Sequence, residues 1–240
     1  MTMPPPRTVR CPYYPPNLAR RVAIIVAAAG IPAATALGDV EYRYDGGTMS
    51  TAVGPPGSFP VNPETGWGNY FVAEPGGEMI TTISVAFGPT FAEGREVTVW
   101  LFDDPDDDFD PRNAVPLASA TMVPHTLGGS TFNDFAIEPT AVSGGFFVAV
   151  LAFTERGVDR PAAADSDARA DRSWLFYNPA TEGINVDNLG ANALARRVDD
   201  GIVPFPGAWM IRATGVPVPG PSGVAALTLG LGALARRRRR

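Results

Sequence analysis

Between residues 38 and 215, apolar residues occur in short runs that Gly and Pro interrupt, and polar residues alternate with them. Ile83, Val85 and Phe87, for example, fall on one face of an extended strand. Residues 146–153 are apolar almost throughout, which is typical of a strand covered on both faces. Because no stretch shows sustained helical periodicity, the pattern predicts strands.

The predicted fold class is all-β, with eight or nine strands. Many short strands separated by turn signals favour a two-sheet antiparallel sandwich, which we expect to be jelly-roll-like. At 240 residues, the chain is long enough for one such domain, residues 37–215, with a terminal segment at each end. The strongest strand candidates are residues 40–44, 79–87, 96–102, 131–137, 146–153, 174–177 and 209–213.

Residues 1–36 follow the three-part pattern of a secretory signal peptide. A basic segment precedes residues 22–31, an apolar helix candidate that is too short to span a bilayer unaided. Pro32 then breaks the helix, and Ala34 and Ala36 are small residues at the positions that signal peptidase reads. We expect cleavage after Ala36, and the alternative is an uncleaved anchor helix.

Residues 216–240 form a second three-part segment. A Pro-rich stretch, residues 216–222, is held extended by its rings. Residues 223–235 are uncharged and predict a hydrophobic helix of roughly 20 Å, shorter than the ~30 Å hydrocarbon core of a membrane. Five Arg follow, and by the positive-inside rule they stay cytoplasmic.

This tail resembles the PEP-CTERM sorting signal of bacteria, in which a Pro-containing motif, a hydrophobic helix and an Arg cluster are recognised by an exosortase. One feature departs from that signal, because Val218 stands where its namesake Glu would be. The resemblance implies processing by an exosortase-like enzyme after transient attachment to the membrane, and a permanent C-terminal anchor is the alternative. The matching residues are Pro217, Pro219, Gly220, Arg236, Arg237 and Arg238.

The middle of the chain carries a second resemblance, over residues 40–214. Its segments GNYFVAE, ITTISVAFG, VTVWLFDDPDDDFDP, GGFFVAVLAF, RPAAADSDARADRSW and GAWMIRATG are similar, in this order, to a family of exported, uncharacterised β-sandwich domains of bacterial surface proteins. The shared motifs are strand and turn patterns. The resemblance therefore implies a sandwich fold and an exported location, and it implies no activity.

Charge separates the middle of the chain from its two ends. All 19 basic residues are Arg; only ten of them lie in residues 37–215, against all 25 acidic residues, which leaves a net charge of about −15 there. Such a field repels phosphate backbones and anionic lipid. We therefore expect a solubilising extracellular surface and no nucleic-acid partner.

Catalytic chemistry has little support in the sequence. The single Cys, Cys11, lies in the predicted leader, so residues 37–215 contain no thiol nucleophile and no Cys-ligated zinc. His125 is the only His and is interpreted as a surface turn residue, and the chain has no Lys. We therefore expect no enzyme, although a carboxylate pair for glycan cleavage stays open because 25 acidic residues allow many pairings.

The clearest candidate site is the acidic loop, residues 103–110, directly after an apolar strand. Asp104, Asp106, Asp108 and Asp110 recur in it at every second position. Crowded carboxylates repel one another unless a cation neutralises them, and hard oxygen ligands in a loop suit Ca²⁺. The spacing therefore predicts a low-affinity calcium site.

Two residues depart from an EF-hand-type calcium loop. Phe109 stands where the sharp turn needs Gly, and Val115 stands where a Glu would close the site. A solvated acidic hairpin tip is therefore the alternative to a calcium site.

Two further groups of residues are candidate ligand sites. Residues 155–172 are acidic and Ala-rich and are interpreted as a mobile loop, from which Asp165, Asp167 and Asp171 would join a metal site if the loop folds back. The Trp and Tyr side chains are expected in the core, with one exception: Trp67, between two Gly in a loop-like stretch, is the candidate for exposure and for stacking on a glycan.

Together these patterns favour a non-enzymatic, exported protein of the cell surface or extracellular matrix, held transiently or permanently by its C-terminal helix. A calcium-dependent carbohydrate-binding module is the alternative, and a glycan-cleaving enzyme is a third hypothesis. The expected partners are signal peptidase, an exosortase-like enzyme, the membrane and extracellular polysaccharide.

Overall fold

A computed structural model describes residues 38–59, 61–169, 171–178, 183–201 and 207–218. Pro217 lies within these ranges, directly after the last strand. The predicted signal helix, the predicted hydrophobic helix and the sorting residues Pro219, Gly220, Arg236, Arg237 and Arg238 lie outside them. Across these five ranges, no helix has the length and apolar character needed to cross a membrane.

Strands and turns make up the described part of the chain, with three short 3₁₀ turns at Pro111–Asn113, Leu189–Ala191 and Val198–Asp200. The strands are β1 (Val40–Tyr42), β2 (Thr51–Val53), β3 (Glu64–Val72), β4 (Met79–Ala86), β5 (Val97–Asp103), β6 (Val115–Met122), β7 (Phe132–Ala141), β8 (Gly145–Phe153), β9 (Ala162–Asp165), β10 (Ser173–Asn178), β11 (Leu194–Arg197), β12 (Ala208–Trp209) and β13 (Ile211–Val216). The all-β prediction is confirmed, and each of the seven predicted strand segments overlaps an observed strand.

These strands form three antiparallel sheets. Their orders are β1-β13-β4-β7, β11-β10-β3-β8-β5-β6 and β12-β9-β2. The prediction of two sheets was incomplete, because β2, β9 and β12 pair into a small third sheet. The two larger sheets share one apolar core, to which β3, β5 and β8 contribute from one sheet and β4, β7 and β13 from the other.

The core follows the alternation along the strands. Ile83 and Val85 of β4 are fully buried, as are Val97, Val99 and Leu101 of β5. β8 is buried from Gly145 to Ala152, as its unbroken apolar run predicts. A second apolar cluster covers the outer face of the six-stranded sheet and is called the outer layer below; it consists of Tyr70, Phe102, Ala114, Phe147, Ala149, Leu151, Trp174, Phe176, Ile184 and Leu189.

Trp67 lies in the middle of β3 and is fully buried, with its ring edge-on to Phe87. The interpretation of this stretch as a loop with an exposed Trp is therefore wrong. A ring with no exposed surface cannot stack on a glycan, so Trp67 carries no ligand contact.

The two glycines beside Trp67 mark close packing. A Cβ on Gly68 would lie 2.3 Å from the carbonyl oxygen of Val148 and 2.4 Å from Cζ of Phe147. A Cβ on Gly66 would lie 2.7 Å from Cδ2 of Leu151. Side chains of the outer layer thus lie over β3 at the two glycines, which have no side chains. Gly in a strand can mark such a close approach, whereas we had interpreted these glycines as loop residues.

The acidic stretch 155–172 contains β9 and is not simply a mobile loop. Ala162, Ala163 and Ala164 of β9 are fully buried, and β9 is the central strand of the small sheet, paired with β12 on one side and β2 on the other. Asp165 accepts hydrogen bonds from the backbone N–H groups of Gly46 (2.7 Å) and Asp167 (3.1 Å).

Asp171 pairs with Arg169 (2.6 Å). Asp165, Asp167 and Asp171 do not converge in the way that a metal site requires, since the one candidate cluster found in the described residues lies in the acidic loop.

Asn69 of β3 joins the sheets through a buried polar network. Its Nδ2 donates to the carbonyl oxygens of Trp209 (2.9 Å) and Ile211 (3.3 Å), and its Oδ1 accepts from Oγ of Ser173 (2.7 Å). That Oγ in turn accepts from the backbone N–H of Trp209 (3.3 Å). Because Asn69, Ser173 and Trp209 are all fully buried, none of these groups has water as an alternative partner.

We expect Asn69→Ala to lower the free energy of unfolding by about 3 kcal/mol, because it leaves buried carbonyls and a hydroxyl without partners. In a domain of this size, this corresponds to a fall in melting temperature of about 6–12 °C. Thermal unfolding followed by circular dichroism measures it. Asn62→Ala, which removes an exposed side chain with one backbone contact, is the matched control and should shift the midpoint by less than about 2 °C.

Candidate metal site

The acidic loop is tied to the sheet where β8 begins. The backbone N–H of Asp104 donates to the carbonyl oxygen of Gly145 (3.2 Å), and the backbone N–H of Gly145 donates to the Asp107 carboxylate. At its far end the loop passes into the 3₁₀ turn Pro111–Asn113, which leads to β6. The loop is therefore held at both ends by regular structure.

Two residues of the loop have left-handed backbone, Asp107 at φ 55° and Phe109 at φ 66°. An EF-hand-type calcium loop has Gly at the position of Phe109, and Phe109 adopts the positive φ that Gly would provide there. Such a conformation costs about 1–2 kcal/mol in a residue with a Cβ. Two contacts offset the cost: the Phe109 ring lies edge-on to Tyr70, with centroids 5.0 Å apart, and beneath the Arg172 guanidinium, with Cζ 3.8 Å from the ring centroid.

Three of the four predicted ligands converge. Asp104, Asp106 and Asp108 each offer a carboxylate oxygen, and these oxygens lie within 4.8 Å of one another. Asp104 is only 3% exposed, whereas Asp106 and Asp108 are exposed. The cluster therefore has one buried carboxylate at its base and two at its solvent side, and it could hold one hard cation.

The buried carboxylate of Asp104 is only half satisfied. Its Oδ2 accepts from the hydroxyl of Tyr70 (2.6 Å) and from the backbone N–H of Phe109 (3.3 Å). Its Oδ1 is buried and has no hydrogen-bond partner among the residues that the structure describes. Most buried polar atoms in proteins have a partner, so this oxygen indicates a group that binds from outside.

Burial raises the pKa of Asp104, and the neighbouring Asp106 carboxyl adds to this rise, while the hydrogen bond from Tyr70 opposes it. Burial also raises the pKa of Tyr70, which keeps its hydroxyl protonated as a donor to Asp104. The ionised Asp104 carboxylate thus needs a positive charge beside it, and a cation or a shared proton would provide one.

The other two cluster members have contacts that orient them. Oδ2 of Asp106 accepts from Nδ2 of Asn113 (2.9 Å), and Oδ1 of Asp108 accepts from the backbone N–H of Asp110 (2.8 Å). Each carboxylate keeps a second oxygen outside these bonds. The arrangement supplies hard oxygen ligands of the kind that Ca²⁺ takes in loops.

Asp110, the fourth predicted ligand, is not part of the cluster. Its Oδ1 accepts from the backbone N–H (3.0 Å) and from Nε (2.8 Å) of Arg112. Partial burial acts to raise the pKa of Asp110, but the hydrogen bonds and charge of Arg112 hold it below its usual value. Asp110 therefore begins the 3₁₀ turn and binds a cationic side chain two positions away.

A pocket of about 550 Å³ opens beside the loop. Asp108 and Phe109 form one wall, and Trp174 of β10 and the end of β11 form others. The sequence did not place Tyr70, Arg172 or the end of β11 beside the loop, because they come from distant parts of the chain and carry no local motif. The lining residues are Asp108, Phe109, Asp110, Arg112, Asp171, Arg172, Trp174, Ala195, Arg196, Arg197 and Asp200.

His125 lies exposed in a bend, as predicted, and it does not line the pocket beside the acidic loop.

No protein-family model matches the chain, and no curated protein or solved structure matches it either. The resemblances to exported sandwich domains and to the PEP-CTERM signal therefore stay predictions.

We expect Asp104→Asn to stabilise the protein when calcium is absent. The Asn oxygen can accept from Tyr70 and Phe109, while its neutral amide removes a buried charge and places a donor near the Asp106 and Asp108 carboxylates, which gains about 1 kcal/mol. Because the pKa of Asp104 is raised in the folded state, the wild-type protein loses stability as the pH rises from the unfolded pKa through the folded one. The variant does not lose stability in this way. In EDTA its melting temperature should therefore exceed that of the wild-type protein at pH 7, and the difference should shrink as the pH falls.

Thermal unfolding in EDTA between about pH 4 and about pH 8 measures this difference, which should reach about 2–4 °C at neutral pH. Asp187→Asn, the same change at an exposed position, is the matched control and should leave the midpoint unchanged. A lower midpoint for Asp104→Asn at pH 7 would mean that the ionised carboxylate is already compensated.

Proposed function

We propose that this chain is an exported, non-enzymatic protein of the cell surface or extracellular matrix, whose domain holds one calcium ion in the acidic loop. The observation that carries the calcium assignment is the unpartnered, buried Oδ1 of Asp104 at the base of a carboxylate cluster. An acidic hairpin tip that is merely solvated would not place a half-satisfied carboxylate out of water.

Calcium fits this cluster better than magnesium. Ca²⁺ accepts six to eight oxygens in flexible geometry, whereas Mg²⁺ demands near-ideal octahedral coordination. Three carboxylates, two of them exposed, would leave several positions to water. Affinity should therefore be low, in the range of about 10⁻⁴–10⁻³ M that is typical of extracellular modules.

The ion would have a structural effect in this position. Asp104 and Asp107 already tie the loop to the start of β8. A cation bridging Asp104 to Asp106 and Asp108 would extend that tie to the exposed part of the loop. We infer that calcium locks the loop against the outer layer.

We also infer a jelly-roll topology for the sandwich. Eight strands, β1, β3 to β8 and β13, renumbered 1 to 8 in chain order, pair as 1-8-3-6 in one sheet and 2-7-4-5 in the other. This is the strand order of a jelly roll, built from two Greek keys. The remaining strands would then be insertions, with β10 and β11 extending one sheet.

Export rests on the two ends of the sequence. The leader pattern of residues 1–36 would carry the chain out, and the PEP-CTERM-like tail of residues 216–240 would hold it until an exosortase-like enzyme processes it. The strongly acidic middle of the chain supports this location, since it disfavours nucleic acid and anionic lipid as partners.

Carbohydrate binding is the second candidate function. The observation that favours it is the pocket beside the acidic loop, in which a Trp, four Arg and four Asp meet. Its eight charged side chains suit a polar, hydroxyl-rich ligand better than an apolar one.

We expect calcium to raise the melting temperature of the chain. At about 10 mM Ca²⁺, an ion that binds only the folded state with the affinity given above stabilises it by about 2 kcal/mol, or about 4–8 °C. The double variant Asp106→Asn/Asp108→Asn should lose this rise, because it removes two of the three ligands. Thermal unfolding in EDTA and then in calcium provides the measurement.

Asp110→Asn is the matched control, since it removes an acidic group from the same loop but not from the cluster, and it should keep the calcium-dependent rise. An undiminished rise in the double variant, or no rise in the wild-type chain, would reject the calcium site. Magnesium at the same concentration should have the smaller effect.

We expect expression of the full chain in a bacterium to yield an exported protein whose first residue is Leu37, because signal peptidase would cleave after Ala36. Intact-mass spectrometry of the exported fraction measures this. Ala36→Phe should block cleavage, and Ala33→Phe, outside the two positions that the peptidase reads, is its control. In a host with an exosortase the tail should also be lost; retention of residues 223–240 there would favour the permanent anchor.

A further inference from the structure

The pocket beside the acidic loop holds an unusual share of the positive charge of this domain. Four of the ten Arg in residues 37–215 line it. Two of them are already paired, Arg112 with Asp110 and Arg197 with Asp199 (3.2 Å). The other two, Arg172 and Arg196, form no ion pair with any residue that the structure describes.

Two residues that line this pocket each carry a buried donor without an acceptor. Nη1 of Arg172 and Nε1 of Trp174 are both out of contact with water, and neither has a hydrogen-bond partner in the described part of the chain. Trp174 is only 6% exposed. An unpaired buried donor is costly, and two of them on residues that line one cavity indicate that a ligand brings the acceptors as the two side chains turn toward it.

The guanidinium of Arg172 is fixed in place by aromatic rings. Its Cζ lies 3.8 Å from the centroid of the Phe109 ring and 5.8 Å from that of Tyr70. Stacking holds the guanidinium plane over a ring while its edge stays available for in-plane hydrogen bonds. An Arg held in this way is suited to bidentate contact with a carboxylate.

The pocket also contains acceptors, and this narrows the ligand class. Asp110 and Asp200 line it together with the arginines. Both oxygens of Asp110 already accept from Arg112, whereas Oδ1 of Asp200 lies 3.7 Å from Nη2 of Arg197, so Asp200 keeps acceptor capacity for a ligand. A site for a bare anion would consist of donors only, whereas a ligand that carries one acid group and several hydroxyls needs donors and acceptors together. The neutral indole N–H of Trp174 suits a hydroxyl or ring oxygen of such a ligand.

We propose that this pocket binds a sugar acid, the carboxylate-bearing ring of an acidic polysaccharide. Arg172 and Arg196 take the carboxylate, Trp174 donates to a sugar oxygen, and Asp200 accepts from a hydroxyl. A volume of about 550 Å³ lies within the range of small-ligand sites. The assignment deepens the carbohydrate-binding candidate by naming the residues and the class of sugar.

The acidic loop connects this pocket with the candidate calcium site. Asp108 belongs to both the carboxylate cluster and the pocket wall. A cation on Asp108 would cancel the unpaired negative charge that faces the sugar carboxylate, so calcium should strengthen binding. Only this calcium dependence rests on the proposed calcium site; the contacts of Arg172, Arg196 and Trp174 do not.

The test is isothermal titration calorimetry of the full chain with tri-galacturonate in calcium and in EDTA. We expect saturable binding that is weaker in EDTA. Arg172→Gln should weaken it by at least about tenfold, since it removes a charge-assisted, bidentate contact. Trp174→Phe, which keeps the buried ring and removes its N–H, should weaken it by about fivefold.

Arg196→Gln separates a loss of binding from a loss of folding. Because Arg196 is exposed, this variant should bind more weakly while its melting temperature stays unchanged. Arg43→Gln is the matched control for charge: Arg43 is exposed, pairs with Glu41 and does not line the pocket, so affinity should not change.

Three comparison ligands decide the ligand class. The neutral trisaccharide of galactose should not bind measurably, and tri-glutamate, which matches the charge without the sugar, should bind much more weakly. Equal binding of either would overturn the proposal, as would competition by acetate at the same concentration as the sugar acid. Absence of tri-galacturonate binding in a chain that still shows the calcium-dependent rise would reject the pocket alone, whereas binding without that rise would reject the calcium site alone.

Discussion

The side-chain amide of Asn69 is the constraint on which the arrangement of the sheets depends. Its bonds reach the carbonyls of Trp209 and Ile211 and the hydroxyl of Ser173, so they tie β3 to β10, β12 and β13 in the observed register. Apolar side chains alone tolerate small shifts, whereas a buried amide with directional partners does not. The network thereby fixes where β10 lies, and β10 carries the Trp174 that lines the pocket.

The six-stranded sheet is covered on both faces, and this explains where the candidate sites lie. The outer layer places Phe147 and Phe176 over β3, at positions that Gly66 and Gly68 leave empty. The acidic loop closes over one end of this layer through Tyr70, whose hydroxyl bonds Asp104. A carboxylate is thus drawn out of water by aromatic packing, which is the physical origin of its unusual chemistry.

The alternation of apolar and polar residues made much of the fold predictable, because buried and less buried positions largely alternate along β4 and β5 in the same way. The acidic loop was predictable for the same reason, since its spacing is short and regular. Asp110 was misassigned because Arg112, two positions away, competes for its carboxylate. Trp67 was misassigned because glycines that make room for side chains of the outer layer look like turn residues. Tyr70 and the pocket arginines were beyond sequence reasoning, since only the tertiary fold brings them to the loop.

Phe109 combines two demands that few side chains meet together. Its backbone is left-handed, which favours glycine, yet its ring lies between Tyr70 and Arg172. Glycine would remove the backbone strain but also both ring contacts. A β-branched residue would neither tolerate the left-handed backbone nor provide the ring contacts. An aromatic residue five positions after a buried Asp is therefore a more distinctive signature of this site than the acidic spacing, and it offers a way to find the same architecture in sequences whose loops share no other motif.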